Sequence, residues 1–160
     1  MDNALKTVLV VFKRIMERNF QMNNVSDMEI CQNIAYIMMK MGVACGDYCF
    51  VWHRYGVFSQ LLQTEMHGVI DVEKLSEVIL TERAKQKISK LKPYLINTQG
   101  SYSLTRWIDT IGSILFIKLE IHPVFERDEI LDALLKLKPY LKDENETNQK
   151  AWNVAMEIIM

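Results

Sequence analysis

The chain has 160 residues, which fits one domain and is long enough to bury a core without a disulfide or a structural metal. Apolar residues make up 49% and charged residues 24%, which excludes a wholly disordered chain and a collagen-like one. Lysine and arginine number 19 against 20 aspartates and glutamates, so the net charge of −1 gives no global attraction to nucleic acid or anionic lipid. We therefore expect one domain over residues 1–160.

The start of one helix has a clear local signal. Ser26 and Glu29 have the spacing of a capping box, in which each side chain bonds the other residue's backbone amide. Val25 and Ile30 are placed for a hydrophobic staple across this cap. We expect the helix to end at Gly42, because glycine accepts the left-handed conformation that closes a helix.

Residues 47–58 are rich in aromatic and β-favouring side chains with partial alternation. They predict one short strand or extended segment around residues 47–55. Gly56 is expected to break this segment, and Ser59 is expected to cap a short helix that reaches Met66.

The other helices are predicted from apolar periodicity and from the scarcity of glycine and proline. They lie over residues 3–19, from Asp71, over residues 81–92, from Ser103, over residues 128–137 and from Thr147. Pro93 is expected to end or kink the helix over residues 81–92. The helix from Ser103 has the strongest core stripe, formed by Leu104, Trp107, Ile108, Ile111, Leu115 and Leu119. The predicted fold is mainly α, a single-domain bundle of six to eight helices with at most one short β element.

The hexapeptide KLKPYL occurs twice, at residues 90–95 and 136–141. Two copies 46 residues apart indicate either a helical repeat or two similar helix ends, each with a basic last turn and a proline stop.

The cysteines and histidines do not have the spacing of a metal or catalytic motif. Cys45, Cys49 and His53 are four residues apart, but on an extended segment they span roughly 26 Å, too far for one metal ion. The motifs CxxC, HExxH, GxSxG and the phosphate-binding glycine loop do not occur in the sequence. We expect no metal, no cofactor and no enzymatic activity, with Cys31, Cys45 and Cys49 as buried, reduced thiols.

The location of the protein is predicted from two further patterns. The first residues do not have the basic and apolar regions of a signal peptide. The apolar stretch at residues 108–117 is too short to span a membrane, which takes about 20 residues. A cytoplasmic protein without a membrane partner is therefore expected.

A basic helix is predicted over residues 81–92. Its candidate nucleic-acid contacts are Arg83, Lys85, Lys87 and Lys90. Such a run is also typical of a solvated helix face, and it does not contain the interleaved aromatics that stack on single strands. Nucleic-acid binding through this face is the alternative function.

The aromatic segment carries the preferred functional hypothesis. Tryptophan, tyrosine and arginine are common anchors of protein interfaces, and the candidate interface residues are Trp52, His53, Arg54 and Tyr55. Trp52 and Arg54 are expected on one side of the extended segment. A structural role in turn and cap is expected for Gly56, Phe58 and Ser59.

Four runs in chain order carry a family resemblance: CQNIAYIMMKMG, DYCFVWHRYGVFSQLLQTEM, WIDTIGSILFI and LKPYLKDENETNQKAWNVAMEII. They resemble the YwgA-like and Panacea-domain families of bacterial and archaeal proteins. The hallmark of these families is an aromatic-rich extended segment that leads to Tyr-Gly-Pro-Tyr/Phe-Ser and a short helix with a leucine and an acidic residue. The matching residues are Tyr55, Gly56, Phe58, Ser59, Leu62 and Glu65. Val57 stands where the families have proline.

The resemblance implies a mostly helical domain with a small β element. Panacea domains resemble antitoxins that neutralise diverse partner toxins. The resemblance therefore implies an antitoxin-like or regulatory module that binds a protein partner, such as a toxin. It carries over no catalytic residue.

Overall fold

The computed structural model describes residues 3–69 and 79–160, and within these ranges the chain is mainly helical. The elements are α1 (Asn3–Met16), α2 (Val25–Lys40), β1 (Val51–His53), β2 (Gly56–Phe58), α3 (Gln60–His67), α4 (Glu82–Ile96), α5 (Leu104–Phe116), α6 (Arg127–Leu137) and α7 (Asn145–Ile159). A π-helical turn (Ile117–Ile121) follows α5, and a 3-10 turn (Pro139–Leu141) follows α6. The predicted helical bundle with one short β element is confirmed.

The helix predicted from Asp71 lies outside the described residues. Within the described ranges, every helix is too short or too polar to cross a lipid bilayer.

The hydrophobic core is built around α2 and α5. These two helices pack against each other, α5 also packs against α7, and α1 packs against both α2 and α4. The predicted stripe on α5 is confirmed for its four inner members, whereas Leu104 in the first turn and Leu119 in the π-helical turn are only half-buried. Buried side chains of all these helices form one continuous cluster.

The start of α2 differs from the predicted capping box. Asn24, not Ser26, is the cap, and its side chain accepts a hydrogen bond from the Asp27 amide at 3.0 Å. The Asp27 carboxylate is buried and receives two hydrogen bonds from the Arg18 guanidinium, at 2.7 and 2.8 Å. Because the helix is capped two residues earlier than predicted, Ser26 is inside the helix, and Val25 is 70% exposed instead of forming a staple.

The aromatic segment forms a hairpin where one strand was predicted. β1 and β2 pair antiparallel, with Trp52 opposite Val57 and His53 opposite Gly56. Gly56 therefore begins a second strand instead of ending the segment. Its φ of 131° lies in the region that favours glycine, and a Cβ there would meet a carboxylate of α5 at 3.1 Å.

The predicted cap of α3 is confirmed. The Ser59 hydroxyl accepts a hydrogen bond from the Leu62 amide at 3.3 Å. The helix ends at His67, close to the predicted end.

The first KLKPYL copy continues as a helix through its proline. α4 ends at Ile96, so of the two predicted effects of Pro93, the end of the helix at this residue is wrong. The last turn is held by tertiary contacts, because Leu95 is fully buried and the Trp107 indole donates to the Tyr94 carbonyl at 2.8 Å. These contacts outweigh the missing amide of proline.

The second KLKPYL copy has a different structure. α6 ends at Leu137, inside this copy, and a separate 3-10 turn begins at Pro139. Lys138 is 3% exposed, whereas the equivalent Lys92 lies nearer the surface and pairs with Glu17 at 2.9 Å. Since the same six residues take two conformations and two environments, they do not form equivalent units of a repeat.

The π-helical turn after α5 is tied to α2. Its hydrogen bond from the His122 amide to the Ile117 carbonyl, at 2.8 Å, spans five residues. Glu120 in this turn accepts from the Tyr36 hydroxyl at 3.0 Å and pairs with Lys40 at 2.5 Å. The hydrogen bond from Lys40 lowers the pKa of Glu120, so the carboxylate stays ionised and holds the turn in place.

Replacing the central tryptophan tests this description of the core. Trp107→Ala should lower the free energy of unfolding by about 3–5 kcal/mol, because the buried indole leaves a cavity and the Tyr94 carbonyl loses its donor. Urea unfolding measures the change. Val124→Ala, at an exposed position, serves as the control and should leave stability unchanged. A Trp107→Ala protein as stable as this control would contradict the central position of α5.

Candidate functional site

A groove of about 720 Å³ lies between α2, the hairpin and the first turns of α5. Most of its lining side chains are polar or charged. They are Val25, Ser26, Met28, Glu29, Gln32, Asn33, His53, Tyr55, Gly56, Val57, Phe58, Gln63, His67, Ser103, Thr105, Arg106, Asp109 and Tyr140. The groove thus combines the hairpin with side chains from four other parts of the chain.

The candidate interface residues divide between this groove and the core. His53 and Tyr55 line the groove and are exposed, and Arg54 is exposed beside them. Trp52 is half-buried, and its ring packs against Phe116 with centroids 5.9 Å apart. The alternation of β1 ends at His53, so Trp52 faces the core while Arg54 lies in the exposed turn.

The residues predicted to have a structural role surround the same groove. Gly56 and Phe58 line it, and the Phe58 ring stacks on His53 with centroids 4.6 Å apart. Ser59 is buried, and both polar groups of its backbone bond the Gln32 side chain, at 2.9 and 3.0 Å. This amide clamp fixes the end of the hairpin to α2.

A buried ion pair holds the floor of the groove. The Lys138 ammonium donates to the Asp109 carboxylate and, at 3.1 Å, to the Tyr55 carbonyl in the hairpin turn. The ammonium also lies 5.6 Å from the centre of the Trp52 ring. One lysine therefore connects α6, α5 and the hairpin.

Polar groups between α2 and α5 continue this floor. The Asn33 amide donates to the Glu29 carbonyl at 3.0 Å and to Asp109 Oδ1 at 3.5 Å. Gly112 allows the close approach, since a Cβ there would lie 2.1 Å from Asn33 Oδ1. Among the described residues, Asn33 Oδ1 and Ser113 Oγ are buried without a hydrogen-bond partner. Such groups reduce stability, so their presence marks a place where packing is not optimised.

Glu29 is the second carboxylate of the floor. Within residues 3–69 and 79–160 it forms no ion pair. Desolvation is the main cause that raises the pKa of Glu29, and the negative charge of Asp109 raises it further. The positive charge of Lys138 acts in the opposite direction but does not cancel these effects.

Two arginine–tyrosine pairs stand at the rim. The Arg106 guanidinium lies over the Tyr140 ring at 5.0 Å, and the Arg54 guanidinium lies over the Tyr55 ring at 5.4 Å. The two tyrosines remain 58% and 71% exposed, respectively. Each guanidinium restricts its ring without covering it.

The sequence did not predict the residues of the floor, or the pair of Arg106 and Tyr140 at the rim. Asp109, Asn33 and Gln32 interrupt buried apolar stretches of α5 and α2, and this interruption was the available signal. Lys138 had no such signal, because its hexapeptide also occurs in α4.

The basic face of α4 is partly occupied by contacts within the chain. Lys87 donates to the Met41 carbonyl, and Lys85 pairs with Glu82 at 3.3 Å. Arg83 and Lys90 are exposed. The four candidate nucleic-acid contacts therefore do not form one uniform free surface.

The cysteines are free thiols, but only two of them are buried. Cys31 and Cys45 lie in the core, and burial raises the pKa of Cys45 to about 11. Cys49 is exposed, contrary to the expectation, because it lies in the extended segment before β1. In the part of the chain that the structure describes, histidine, cysteine and carboxylate side chains form no cluster of three that could hold a metal ion.

Comparisons with models of protein families, with curated proteins and with solved structures found no match to this chain. The resemblance to the YwgA-like and Panacea-domain families therefore stays a prediction.

The buried pair predicts a strong stability effect. Asp109→Asn should lower the free energy of unfolding by about 3–5 kcal/mol, because it leaves the Lys138 charge buried without its partner. Asp128→Asn is the matched control, since that exposed carboxylate pairs only with Arg127 at the surface and should change stability by less than about 1 kcal/mol. The double variant Lys138→Met with Asp109→Leu should recover most of the loss. Equal unfolding curves for the two single variants would contradict the importance of the pair.

Replacing Glu29 should raise the stability of the protein, whereas replacing Asp109 should lower it. A carboxyl with a raised folded-state pKa favours folding when protonated and opposes it when ionised, so its unfavourable contribution appears as the pH rises above about 4.5. Glu29→Gln should therefore be slightly more stable than the wild type at pH 7 and equally stable at pH 4. The gain is small because the side chain is exposed enough for water to screen it. Thermal unfolding at both pH values measures it, with Glu157→Gln on α7 as the exposed control. A Glu29→Gln protein less stable than this control at pH 7 would contradict the description.

Proposed function

We propose that this chain is a non-enzymatic protein-binding module, and that the groove with its two arginine–tyrosine pairs binds a segment of a protein partner. The observation that carries the proposal is the pair of exposed tyrosines, Tyr55 and Tyr140, on different elements at the rim of one groove. Each ring is held by an arginine, and tyrosine and arginine are the residue types most enriched among interface anchors.

The rim is suited to binding because it is already ordered. Stacking under Arg54 and Arg106 restricts the two rings before a partner arrives, so less conformational entropy is lost on association. The walls behind the rings are also fixed, since Lys138 bonds the Tyr55 carbonyl and Gln32 bonds the Ser59 backbone.

The lining offers a polypeptide two kinds of contact. Most of the lining residues carry a polar group, with amide, hydroxyl, imidazole and carboxylate groups along the groove. Such groups match the alternating donors and acceptors of a peptide backbone. Carbon atoms contribute the larger part of the exposed lining surface, and they can pack against apolar side chains of the same segment.

The family resemblance supports the same proposal and makes it narrower. YwgA-like and Panacea-domain proteins share the aromatic segment, which in this chain forms one wall of the groove. An antitoxin-like or regulatory module with a cytoplasmic partner, such as a toxin, is the form of the proposal that this resemblance favours. In this chain Val57 stands where the hallmark has proline and lies opposite Trp52 in the hairpin.

Site-specific cross-linking tests the location of the interface. A photoreactive p-benzoylphenylalanine at position 55 or 140 should give the same partner adduct in a lysate of the source cells. The same side chain at position 124, exposed in the loop before α6 and outside the groove, should not. An adduct formed equally well from position 124 would contradict the proposal.

The identified partner then allows a quantitative test. Tyr55→Ala and Tyr140→Ala should each weaken its binding about 30-fold, which corresponds to about 2 kcal/mol at an interface anchor. Isothermal titration calorimetry measures the affinity. Both variants should keep the thermal stability of the wild type, because the two rings are largely exposed. Unchanged affinity in both variants would place the interface elsewhere.

A further inference from the structure

The floor of the groove has one more carboxylate than bonded cations. Glu29 and Asp109 both line it, and among the described residues the ammonium that bonds either of them is that of Lys138, which pairs with Asp109. Lys138 is almost fully buried beneath the hairpin turn and directs its other described hydrogen bond to the Tyr55 carbonyl. The carboxylate of Glu29 thus remains without a cation among the described residues.

The geometry leaves acceptor capacity on both carboxylates. Asp109 uses Oδ2 for Lys138, while Oδ1 receives only the long hydrogen bond of 3.5 Å from Asn33. Glu29 is partly removed from water, and an ionised group in such a place is stabilised by a cation that brings its own donors.

We propose that the partner segment bound in the groove inserts a lysine or arginine side chain that pairs with Glu29 beside Asp109. The inference rests on the proposed protein-binding function and specifies the chemistry of its ligand. The charge of the inserted side chain complements that of the Glu29 carboxylate. Its apolar stem lies along Val57 and Phe58 of β2, which line the same groove, while its charged head reaches the carboxylates.

An acidic side chain is disfavoured in the same place. It would lie against two carboxylates, and the nearest lining cation, Arg106, is engaged over the Tyr140 ring at the rim. A neutral side chain would leave the Glu29 carboxylate without a cation and would contribute no charge complementarity. The two carboxylates of the floor therefore favour a basic side chain because they attract a positive charge and repel a negative one.

A displayed library of random heptapeptides tests the inference on the intact chain. Selection on the wild type should enrich peptides with lysine or arginine at one fixed position, and selection on Glu29→Gln should lose that enrichment. Thermal unfolding of Glu29→Gln beside the wild type shows whether the variant is folded, and equal melting temperatures assign the loss of enrichment to the groove. Glu157→Gln, which lies outside the groove, is the matched control and should enrich the same peptides as the wild type.

The outcomes separate the inference from the proposed function. Enriched peptides without a fixed basic residue, whose binding is lost in Tyr55→Ala, would overturn the inference and leave the protein-binding function standing. Enrichment of acidic peptides would overturn the inference in favour of recognition by Arg106. Selection that enriches no peptide on the wild type would overturn both.

A double-mutant cycle with the enriched peptide completes the test. Glu29→Gln in the protein and lysine→norleucine in the peptide should each weaken binding about tenfold, as for a hydrogen bond between charged groups. Made together, they should weaken it no more than either does alone, because they remove the same contact. Independent, additive losses would show that Glu29 does not touch the basic side chain and would overturn the inference.

Discussion

The ammonium of Lys138 is the point on which the arrangement of the groove depends. It bonds Asp109 of α5 and the backbone of the hairpin turn, and it belongs to the residue that ends α6. A hairpin with two strands of three residues is too short to be stable by itself. Its position therefore has to come from contacts outside the sheet, and this ion pair supplies them at the turn while Gln32 supplies them at the end of β2.

A buried ion pair is a poor way to gain stability, because removing two charges from water offsets most of their attraction. What it adds is geometric definition, since the ammonium must point at its acceptors. Gly56 shows how closely the parts approach, because a side chain there would meet both Asp109 and Lys138 within 3.2 Å. The orphaned oxygens of Asn33 and Ser113 nearby show that this end of the α2–α5 contact is not packed for stability alone.

The sequence was most informative where local chemistry decides the structure. The apolar stripe of α5 and the Ser59 cap depend on residues a few positions apart, and both were predicted. Pro93 and Ser26 were misjudged because distant contacts overrule the local signal: Trp107 holds the last turn of α4, and Arg18 with Asp27 fixes the start of α2.

The candidate site shows the same difference between residues that are close in the sequence and residues that only the fold brings together. Aromatic density pointed to Tyr55 and His53, which are neighbours in the chain. The floor was not predictable, since Asn33 and Asp109 are separated by 76 residues, and Asp109 and Lys138 by 29. Helical periodicity shows that a polar residue lies on a buried face, but it does not show which other polar residue it meets.

The π-helical turn after α5 has a consequence for how the chain can vary in length. Its hydrogen bond closes one residue later than in an α-helix, so the turn accommodates one extra residue. Each residue of a regular α-helix advances the chain by roughly 100° of rotation, so deleting one from α5 itself would turn everything that follows by that angle. Deleting one from the wider turn would instead restore a regular helical turn and leave the exit toward α6 nearly unchanged. The turn is therefore the place at this end of α5 where the chain can lose a residue while the lysine at the far end of α6 still arrives over the aspartate of α5.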